Sequence, residues 1–441
     1  MSNFDTFTLG DVCENISRRF DFANKKQVIF INTGDVKNGN FLHSEYVDKI
    51  KLPGQAKKAI KKNDILFSEI RPANKRFAYV KEDSDDVVVS IKFMVIKANE
   101  KINPKFLYYS LTNNNALNKF QIEAESRSGT FPQITFDSIA YFPIYIPEIQ
   151  EQKAIANILS TLDEKIELNQ KMNQILEEIA KAIFKSWFID FDPVKAKAEG
   201  RPTGLPQEIS DFFPDSFEDS ELGEVPKGWN VGTIDEIVSK VAMGPFGSNI
   251  KVSTFVNYGV PIISGAQMSS YILKDEENSF ITEEHAISLK NSLVYRGDIV
   301  ITQTGTVGQV SLIPYNSKYK KYIVSSRQHY CRPLKENLVE YIFCFLTSKR
   351  GQYEILKNVV TTGVPSISRP TTNLKQIQLT IPNDYLLDVF SNYTKNIFLK
   401  IRNLTEMNIV LSDLRDVLLP KLISGELRIK DAEKYIEEAG I

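Results

Sequence analysis

The chain repeats itself, because several short segments recur in the same order about 235 residues further on. Residues 128–134 (SGTFPQI) match 362–367 (TGVPSI), and residues 144–147 (IYIP) match 379–382 (LTIP). Similarity at one fixed offset is typical of a duplicated structural unit. The chain has 441 residues, more than one hydrophobic core usually supports, so we expect two copies of one domain.

A long amphipathic segment follows each copy. Apolar residues recur there at alternating steps of four and three, the seam of a coiled coil, and we predict long helices over 148–190 and 383–424. Asn173 and Asn408 occupy equivalent seam positions, where a buried amide can fix the register, or where it rotates to solvent. The predicted seam residues are Ile155, Leu159, Leu162, Ile166, Asn173, Leu176, Ile183, Ile397, Ile401, Leu404, Asn408, Leu411 and Leu418.

The domains themselves, over 1–147 and 228–382, mix strand and helix patterns. Residues 87–90 and 322–325 predict strands, and 299–313 predicts two strands joined by a tight turn. Residues 105–121 and 340–357 predict helices. The fold class is therefore α/β or α+β, in tandem. An acidic connector, 191–227, contains four phenylalanines and is expected to be partly ordered, and 425–441 forms a tail.

Charge is unevenly distributed, although the whole chain carries only −1. Residues 1–147 have 21 basic and 17 acidic side chains, a net +4, and residues 228–382 have 16 and 11, a net +5. Residues 190–227 have 4 and 10, a net −6. Two basic domains joined by an acidic connector fit binding to DNA phosphates. On charge alone, ordinary scatter between domains is the preferred explanation.

Several classes of protein are excluded by missing patterns. No P-loop, no Rossmann glycine motif and no adenine-methyltransferase tetrapeptide occurs, so we expect no catalysis. The three cysteines and three histidines are scattered, which argues against a disulfide framework and a metal site and favours a reducing cytoplasm. No signal peptide or membrane span is expected.

Several stretches of the sequence carry a family resemblance. Residues 182–197 (AIFKSWFIDFDPVKAK) and 213–229 resemble the central conserved region of type I restriction–modification specificity subunits, and 418–427 (LLPKLISGEL) resembles their C-terminal region. Residues 244–248 (GPFGS) with 259–261 (GVP) resemble a common opening of their second recognition domain. The first domain lacks this opening, as expected if each domain reads a different half-site.

The resemblance implies how such a chain works. Two target-recognition domains would be held apart by antiparallel coiled-coil helices, each reading half of a bipartite site in double-stranded DNA. The helices would set the spacing and dock two methyltransferase subunits, and motor-nuclease subunits would join for restriction. S-adenosylmethionine, ATP and Mg²⁺ would then belong to the partners, with no cofactor on this chain.

Candidate DNA contacts are side chains able to reach base edges or phosphates. For any single lysine or arginine a solvated surface role is the more common one, and Gly305 and Gly308 are better explained as turn glycines than as DNA contacts. Arg18 and Arg19 are weaker candidates. The predicted contacts are Arg71, Lys75, Arg76, Lys92, Arg127, Ser128, Thr130 and Gln133 in the first domain, and Lys251, Gln303, Thr304, Arg327, Gln328, His329, Thr361, Thr362, Ser366 and Arg369 in the second.

Three other interpretations remain open. A coiled-coil scaffold with two protein-binding domains would lack salt-dependent affinity for DNA. An orphan or alternative specificity subunit would have the same sequence features as a resident one. A self-sufficient restriction–modification polypeptide would need methyltransferase or nuclease motifs, which the sequence lacks.

Overall fold

The computed structural model describes residues 4–246, 249–276 and 278–438. By its internal contacts the chain divides into two compact units, residues 1–168 with 408–441 (unit 1) and residues 169–407 (unit 2). Each unit contains one copy of the repeated domain and one half of each long helix. The units therefore differ from the domains predicted from the sequence, whose boundaries stay predictions.

The first copy is built from short strands and helices. Its helices are α1 (Leu9–Val12), α2 (Pro104–Thr112), α3 (Asn114–Arg127) and α4 (Phe136–Ile139). Its strands are β1 (Asp5–Thr8), β2 (Cys13–Asn15), β3 (Gln27–Ile31), β4 (Val36–Lys37), β5 (Asn40–Phe41), β6 (Tyr46–Asp48), β7 (Ala56–Ala59), β8 (Ile65–Ser68), β9 (Phe77–Tyr79), β10 (Val87–Ser90), β11 (Phe93–Ala98) and β12 (Pro143–Ile146).

A long helix and a folded connector follow. Helix α5 (Ile149–Phe188) has 40 residues and is therefore about 60 Å long. The connector holds α6 (Asp192–Ala198), α7 (Gln207–Ser210) and a hairpin of β13 (Phe217–Ser220) with β14 (Gly223–Pro226). Phe213 is buried and packs edge-on against Trp187, so the expected partial order of this segment is confirmed.

The second copy and two further helices complete the described chain. Its strands are β15 (Asn230–Thr233), β16 (Val238–Met243), β17 (Val260–Ile263), β18 (Ser279–Ile281), β19 (Leu293–Tyr295), β20 (Ile299–Thr302), β21 (Val310–Leu312), β22 (Lys321–Val324), β23 (Gln328–Pro333), β24 (Val359–Val360), β25 (Ser366–Ile367) and β26 (Gln378–Ile381). Its helices are α8 (Ile234–Ile237), α9 (Glu283–Ser288), α10 (Val339–Thr347), α11 (Lys349–Leu356) and α12 (Pro370–Lys375), and α13 (Asp384–Ser424) and α14 (Ile429–Glu438) follow.

The two copies share one sheet topology. The four-stranded sheets of the first copy have the orders β2-β11-β8-β9 and β6-β3-β10-β7. Those of the second copy have the corresponding orders β16-β23-β20-β21 and β18-β17-β22-β19. Apolar side chains from both sheets of a copy pack into one cluster, Leu66 with Val89 in the first and Val300 with Val324 in the second. The predicted tandem repeat of mixed α and β domains is confirmed, as is the strand pair predicted at 299–313.

Two helices predicted as continuous are each divided in the structure. The break comes at Asn113 in the first copy and at its equivalent, Ser348, in the second. Each side chain accepts a hydrogen bond from a backbone N–H of the next helix, at 3.0 Å from Ala116 and 3.1 Å from Gly351. Such N-caps favour the start of a new helix. The prediction of single helices over 105–121 and 340–357 is therefore wrong in this respect.

In unit 1, the first half of α5 packs against the second half of α13. The predicted seam residues Ile155, Leu159, Leu162, Leu411 and Leu418 share one buried cluster. Beside this cluster, α5 and α13 are also joined by an ion pair. Arg415 Nη1 lies 2.7 Å from Asp163 Oδ1, and the hydroxyl of Tyr109, on α2, donates to Asp163 Oδ2 at 2.7 Å. The helix pair is thereby tied to the first copy.

In unit 2, the remaining halves of α5 and α13 pack together. Asn173 Nδ2 donates to Thr405 Oγ1 at 3.2 Å, and the rings of Phe184 and Phe390 lie 6.0 Å apart. The contacts progress in opposite directions along the two helices, so the predicted antiparallel pairing is confirmed. Ile401 is buried there, and six other predicted seam residues of the two units are partly buried: Ile166, Leu176, Ile183, Ile397, Leu404 and Asn408.

A buried ion pair ties the second copy to α13. Arg402 Nη2 lies 2.9 Å from Asp275 Oδ2, in the loop before β18, and 2.6 Å from Glu406 Oε1. The side chains of Arg402 and Asp275 are 3% and 5% exposed. The hydroxyl of Tyr322 also donates to Asp275, at 2.7 Å. Because an unpaired buried charge is costly, this cluster holds the loop in one position against the helix.

A buried carboxyl group lies where α10 packs on α13. Glu340 is 1% exposed, and its Oε2 accepts a hydrogen bond from the hydroxyl of Ser391 at 2.7 Å. Glu340 Oε1 has no hydrogen-bond partner among the described residues. Burial raises the pKa of Glu340 to about 7, although the bond from Ser391 and the charge of Lys395 oppose the shift. The carboxyl is thus held near the point where half of it is protonated at neutral pH.

Candidate nucleic-acid interface

Three loops meet at one edge of the first copy. They are the loop after β8 (69–76), the loop between β10 and β11 (91–92) and the loop before α4 (128–134). Glu69 N donates to Lys92 O at 3.0 Å, Arg71 N to Pro132 O at 3.1 Å, and Ile134 N to Glu69 O at 2.9 Å. Backbone bonds therefore join loops that are far apart in sequence, and we call this surface the first three-loop edge.

The second copy builds the same surface from equivalent residues. Gln303 N donates to Arg327 O at 2.8 Å, Gly305 N to Pro365 O at 3.0 Å, and Ile367 N to Gln303 O at 2.9 Å. These bonds repeat those of the first copy at the offset of the sequence repeat. The second three-loop edge comprises 303–309, 325–327 and 361–367. The similarity of the copies thus extends from the sheets to the hydrogen bonds of their loops.

Arg71 has a strained backbone within the first edge. Its φ of 45° lies in the left-handed region, and the equivalent residue of the second copy is Gly305, with φ of 90°. A left-handed conformation is unfavourable for a residue with a Cβ, and such strain is concentrated at functional sites. The Arg71 side chain is exposed, and its Nη2 lies 3.4 Å from the carbonyl oxygen of Thr130. The loop thus presents a guanidinium group where the second copy has none.

The structure brings several of the other predicted residues of the first domain to this edge. Gln133 forms a backbone bridge with Ile70, and Lys92 is half-buried beside it. Lys75 and Arg76 are half-buried later in the loop after β8. The remaining three lie at the end of α3 and in the loop that follows: Arg127, which pairs with Glu123 at 3.2 Å, Ser128, whose hydroxyl accepts from Phe131 N at 3.1 Å, and the exposed Thr130.

The second edge carries fewer charges. Arg327 is exposed at the tip of the β22–β23 loop, and Thr304 forms a backbone bridge with Ser366. Thr361 and Thr362 are exposed in the third loop. The other two exposed candidates lie outside the three loops: Arg369, with φ of 43° at the start of α12, and Lys251, in the segment after β16.

Three predicted contacts of the second domain have buried side chains. Gln303 Nε2 donates to Ser326 O at 2.9 Å, and Gln328 Oε1 accepts from Ser325 N at 3.0 Å. His329 is 2% exposed, and burial lowers its pKa to about 3, so its imidazole is neutral. The two glutamines thus support the loop that presents Arg327. The contact with bases predicted for them and for His329 stays a prediction.

Gly244, in the opening motif of the second domain, is required by close packing. A Cβ at this position would lie 1.8 Å from Ser325 O, in the same β22–β23 loop. Gly244 N also donates to Gln328 O at 2.9 Å. The motif therefore packs against the β22–β23 loop of the second edge and supports it. Its last two residues, Gly247 and Ser248, lie outside the described residues.

A group of lysines near the first edge was not predicted from the sequence. Lys49, Lys57 and Lys58 line an open groove together with Arg19. Lys57 and Lys58 are adjacent in the sequence, but only the fold brings them together with Lys49 and Arg19. Arg18, by contrast, is held by Asp64, with Nη2 at 3.1 Å from Oδ1.

Within the described ranges, no group of three or more His, Cys, Asp or Glu side chains is arranged to hold a metal ion. Among the helices described here, none combines the length and apolar character needed to cross a membrane.

Comparison with known proteins identifies the family. The model of the type I restriction modification DNA specificity domain matches residues 1–178 and 226–403. The specificity subunit of the type I restriction enzyme HindI from Haemophilus influenzae is 36% identical over 471 aligned residues, covering 97% of this chain and 100% of that protein. The MjaIX specificity subunit from Methanocaldococcus jannaschii is 26% identical, covering 84% of this chain and 79% of that protein.

A solved structure has the same fold. The S subunit of a type I restriction–modification system from M. genitalium superposes with a TM-score of 0.57 at 14% identity, covering 96% of each chain. Two matched specificity domains and a full-length relative agree with the duplicated architecture described above. The chain belongs to the specificity subunits of type I restriction–modification systems, and its function is to determine DNA sequence specificity.

Proposed function

We propose that each three-loop edge reads one half of a bipartite site in double-stranded DNA, and that the chain itself catalyses no reaction. The observation that carries the proposal is the repeated edge. Two equivalent sets of loops, joined by equivalent backbone bonds, present different side chains, with Arg71 in one and Gly305 in the other. A constant frame with variable contacts is what reading two different half-sites requires.

The side chains at the edges suit the two kinds of DNA contact. Arginine can bond the O6 and N7 of guanine in the major groove. Arg71 is exposed at the first three-loop edge and Arg327 at the second. Thr130, Thr361 and Thr362 are exposed beside them and suit phosphate oxygens. We therefore assign base reading to the two arginines and positioning to the threonines.

The long helices would set the gap between half-sites and dock two methyltransferase subunits. Met172, Ile175 and Ile179 form an apolar stripe at helical spacing on α5, with 41%, 55% and 43% exposure. Exposed apolar patches are typical of protein interfaces. Motor-nuclease subunits would join this complex in the cytoplasm. S-adenosylmethionine, ATP and Mg²⁺ would be bound by these partners, and this chain would bind none of them.

The experiment is to sequence the methylome of cells that express the chain with its methyltransferase, and of cells that lack the chain. We expect a bipartite adenine-methylated motif only when the chain is present. Arg327→Ala should relax one base position in one half of the motif, because a bidentate contact to a base contributes about 1–3 kcal/mol to discrimination. An unchanged motif and affinity would contradict the role of Arg327.

A protein-binding scaffold is the alternative function. It predicts no new methylated motif, and no salt-dependent affinity for duplex DNA in a gel-shift series. The proposed function predicts a new methylated motif. It also predicts an affinity for duplex DNA that falls with salt, because phosphate contacts release counterions.

A further inference from the structure

An open groove lies beside the first three-loop edge. Its volume is about 700 Å³, within the range of about 300–1,000 Å³ of pockets that hold drug-sized ligands. Its walls come from the segment after β2, the segment between β6 and β7 together with β7 itself, and Ile91. The groove is therefore large enough for a sugar–phosphate unit rather than only an inorganic ion.

The lining of the groove is basic. Arg19, Lys49, Lys57 and Lys58 contribute to it, and no aspartate or glutamate is among the described residues that line it. Lys58 forms its floor, 9% exposed, with Nζ 2.6 Å from the carbonyl oxygen of Phe93. The other three are exposed. Such a lining attracts a phosphodiester, for which Lys and Arg are the usual partners.

The groove is continuous with the first edge. Ile91, in its wall, immediately precedes Lys92, whose carbonyl oxygen accepts the hydrogen bond from Glu69 N that joins the loops. The groove therefore adjoins the loop that is bonded to the segment carrying Arg71. This position distinguishes the groove from a basic patch elsewhere on the domain.

The second copy lacks the floor lysine. Ala59 pairs with Val88 in the first copy, and Leu293 pairs with Ile323 in the second, so the equivalent of Lys58 is Ser292. Ser292 is buried, and its hydroxyl donates to Met243 O at 3.1 Å. The basic floor is therefore a property of the first copy.

We propose that this groove binds the phosphate backbone of duplex DNA next to the first half-site, through Lys49, Lys57 and Arg19, without reading sequence. The proposal rests on the DNA-reading function proposed above. It makes the first domain the one that contributes more sequence-independent affinity.

The test is the salt dependence of binding. The full chain, in complex with its methyltransferase subunits, is titrated with a duplex that carries the methylated motif. The titration is repeated at KCl concentrations from roughly 0.05 to roughly 0.3 M, where phosphate contacts contribute strongly to the affinity. The double variant Lys49→Gln/Lys57→Gln should lower the slope of log K against log salt by about 1.8, or about 0.9 per lost contact. At 0.1 M salt the same relation gives an affinity loss of about 60-fold. The methylated motif should stay the same.

Two further variants make the outcome specific. Lys97→Gln/Lys101→Gln removes one charge from β11 and one from the segment after it, neither of which lines the groove, and should leave the slope unchanged. Lys49→Arg/Lys57→Arg keeps the charges and should retain the wild-type slope. A groove variant with the wild-type slope, from a complex that still binds and methylates its motif, overturns the groove proposal alone. A wild-type complex with no preference for any duplex overturns the proposed function as well.

Discussion

The carboxyl of Glu340 makes unit 2 sensitive to pH. In the unfolded chain this group ionises near its ordinary pKa of 4.5, whereas in the folded chain its pKa is about 7. Between these values the folded state retains a proton that the unfolded state has lost, so the free energy of unfolding falls as the pH rises through this range. The difference between a pKa of 4.5 and one of about 7 corresponds to a loss on the order of 3 kcal/mol, complete above pH 7.

Glu340→Gln should remove this loss. The glutamine cannot ionise, and its amide oxygen can still accept the hydrogen bond from Ser391. We expect the variant to match the wild type near pH 5 and to exceed its stability by about 3 kcal/mol at pH 8. Urea unfolding followed by tryptophan fluorescence reports on the correct unit, because both tryptophans, Trp187 and Trp229, are buried in unit 2.

The comparison needs a matched control. Glu208→Gln removes an exposed carboxylate of the same unit and should leave the pH dependence unchanged. His329 and the other groups with perturbed pKa values are present in every variant, so their contributions cancel. Equal pH dependence for Glu340→Gln and the wild type between pH 5 and 8 would refute the reasoning.

Three further predictions concern other parts of the molecule. Arg402→Ala should lower the stability of unit 2 by about 3–5 kcal/mol, because it leaves Asp275 buried and unpaired; tryptophan-monitored unfolding measures this, and a loss under 1 kcal/mol would contradict it. Arg71→Gly should raise the stability of unit 1 by about 1 kcal/mol by relieving left-handed strain, while it weakens specific DNA binding; calorimetry and gel shift test the two effects, and a loss of stability would show that the strain is absent. Asn173→Leu should stabilise unit 2 by on the order of 1 kcal/mol, because Asn173 Oδ1 is buried without a partner among the described residues; urea unfolding checks the sign.

Much of the fold could be predicted because it follows from local spacing. Alternating steps of four and three predict the seam, and residues such as Leu159 and Leu411 are buried as that spacing requires. The repeat itself predicts a second domain like the first, and the sheet orders agree strand for strand. These features depend on periodicity, which single residues do not disturb.

The helix breaks could not be predicted in the same way. Asn113 and Ser348 interrupt segments whose apolar periodicity continues past them, and their effect depends on a side-chain hydrogen bond to the next helix. A capping residue inside a periodic segment is equally compatible with a solvent-facing polar position. The sequence alone therefore favoured the longer helix.

The sequence indicated which loops form the candidate site better than it indicated which side chains are exposed on them. The segments containing Arg71, Arg327 and Thr130 were singled out from their residue types, and backbone hydrogen bonds join the corresponding loops within each copy. Their contact with DNA stays a prediction. The burial of Gln328 and His329 depends on the strands that flank them, and polar character alone suggested exposure. The groove lysines were not predicted because three segments that are separate in the sequence form the groove, and only the fold brings them together.

The ionic contact between Asp163 and Arg415 has a consequence for how the two halves of the chain evolve. By the offset of the repeat, the equivalents of these residues are Phe398 and Ala180, both buried in the core of unit 2. If two first halves paired with each other, Asp163 would face an alanine, and the half-buried carboxylate would lose its cation. The duplicated halves have thus diverged into complements. At this contact each half carries the charge that the other lacks, so the ion pair forms only between one half and the other.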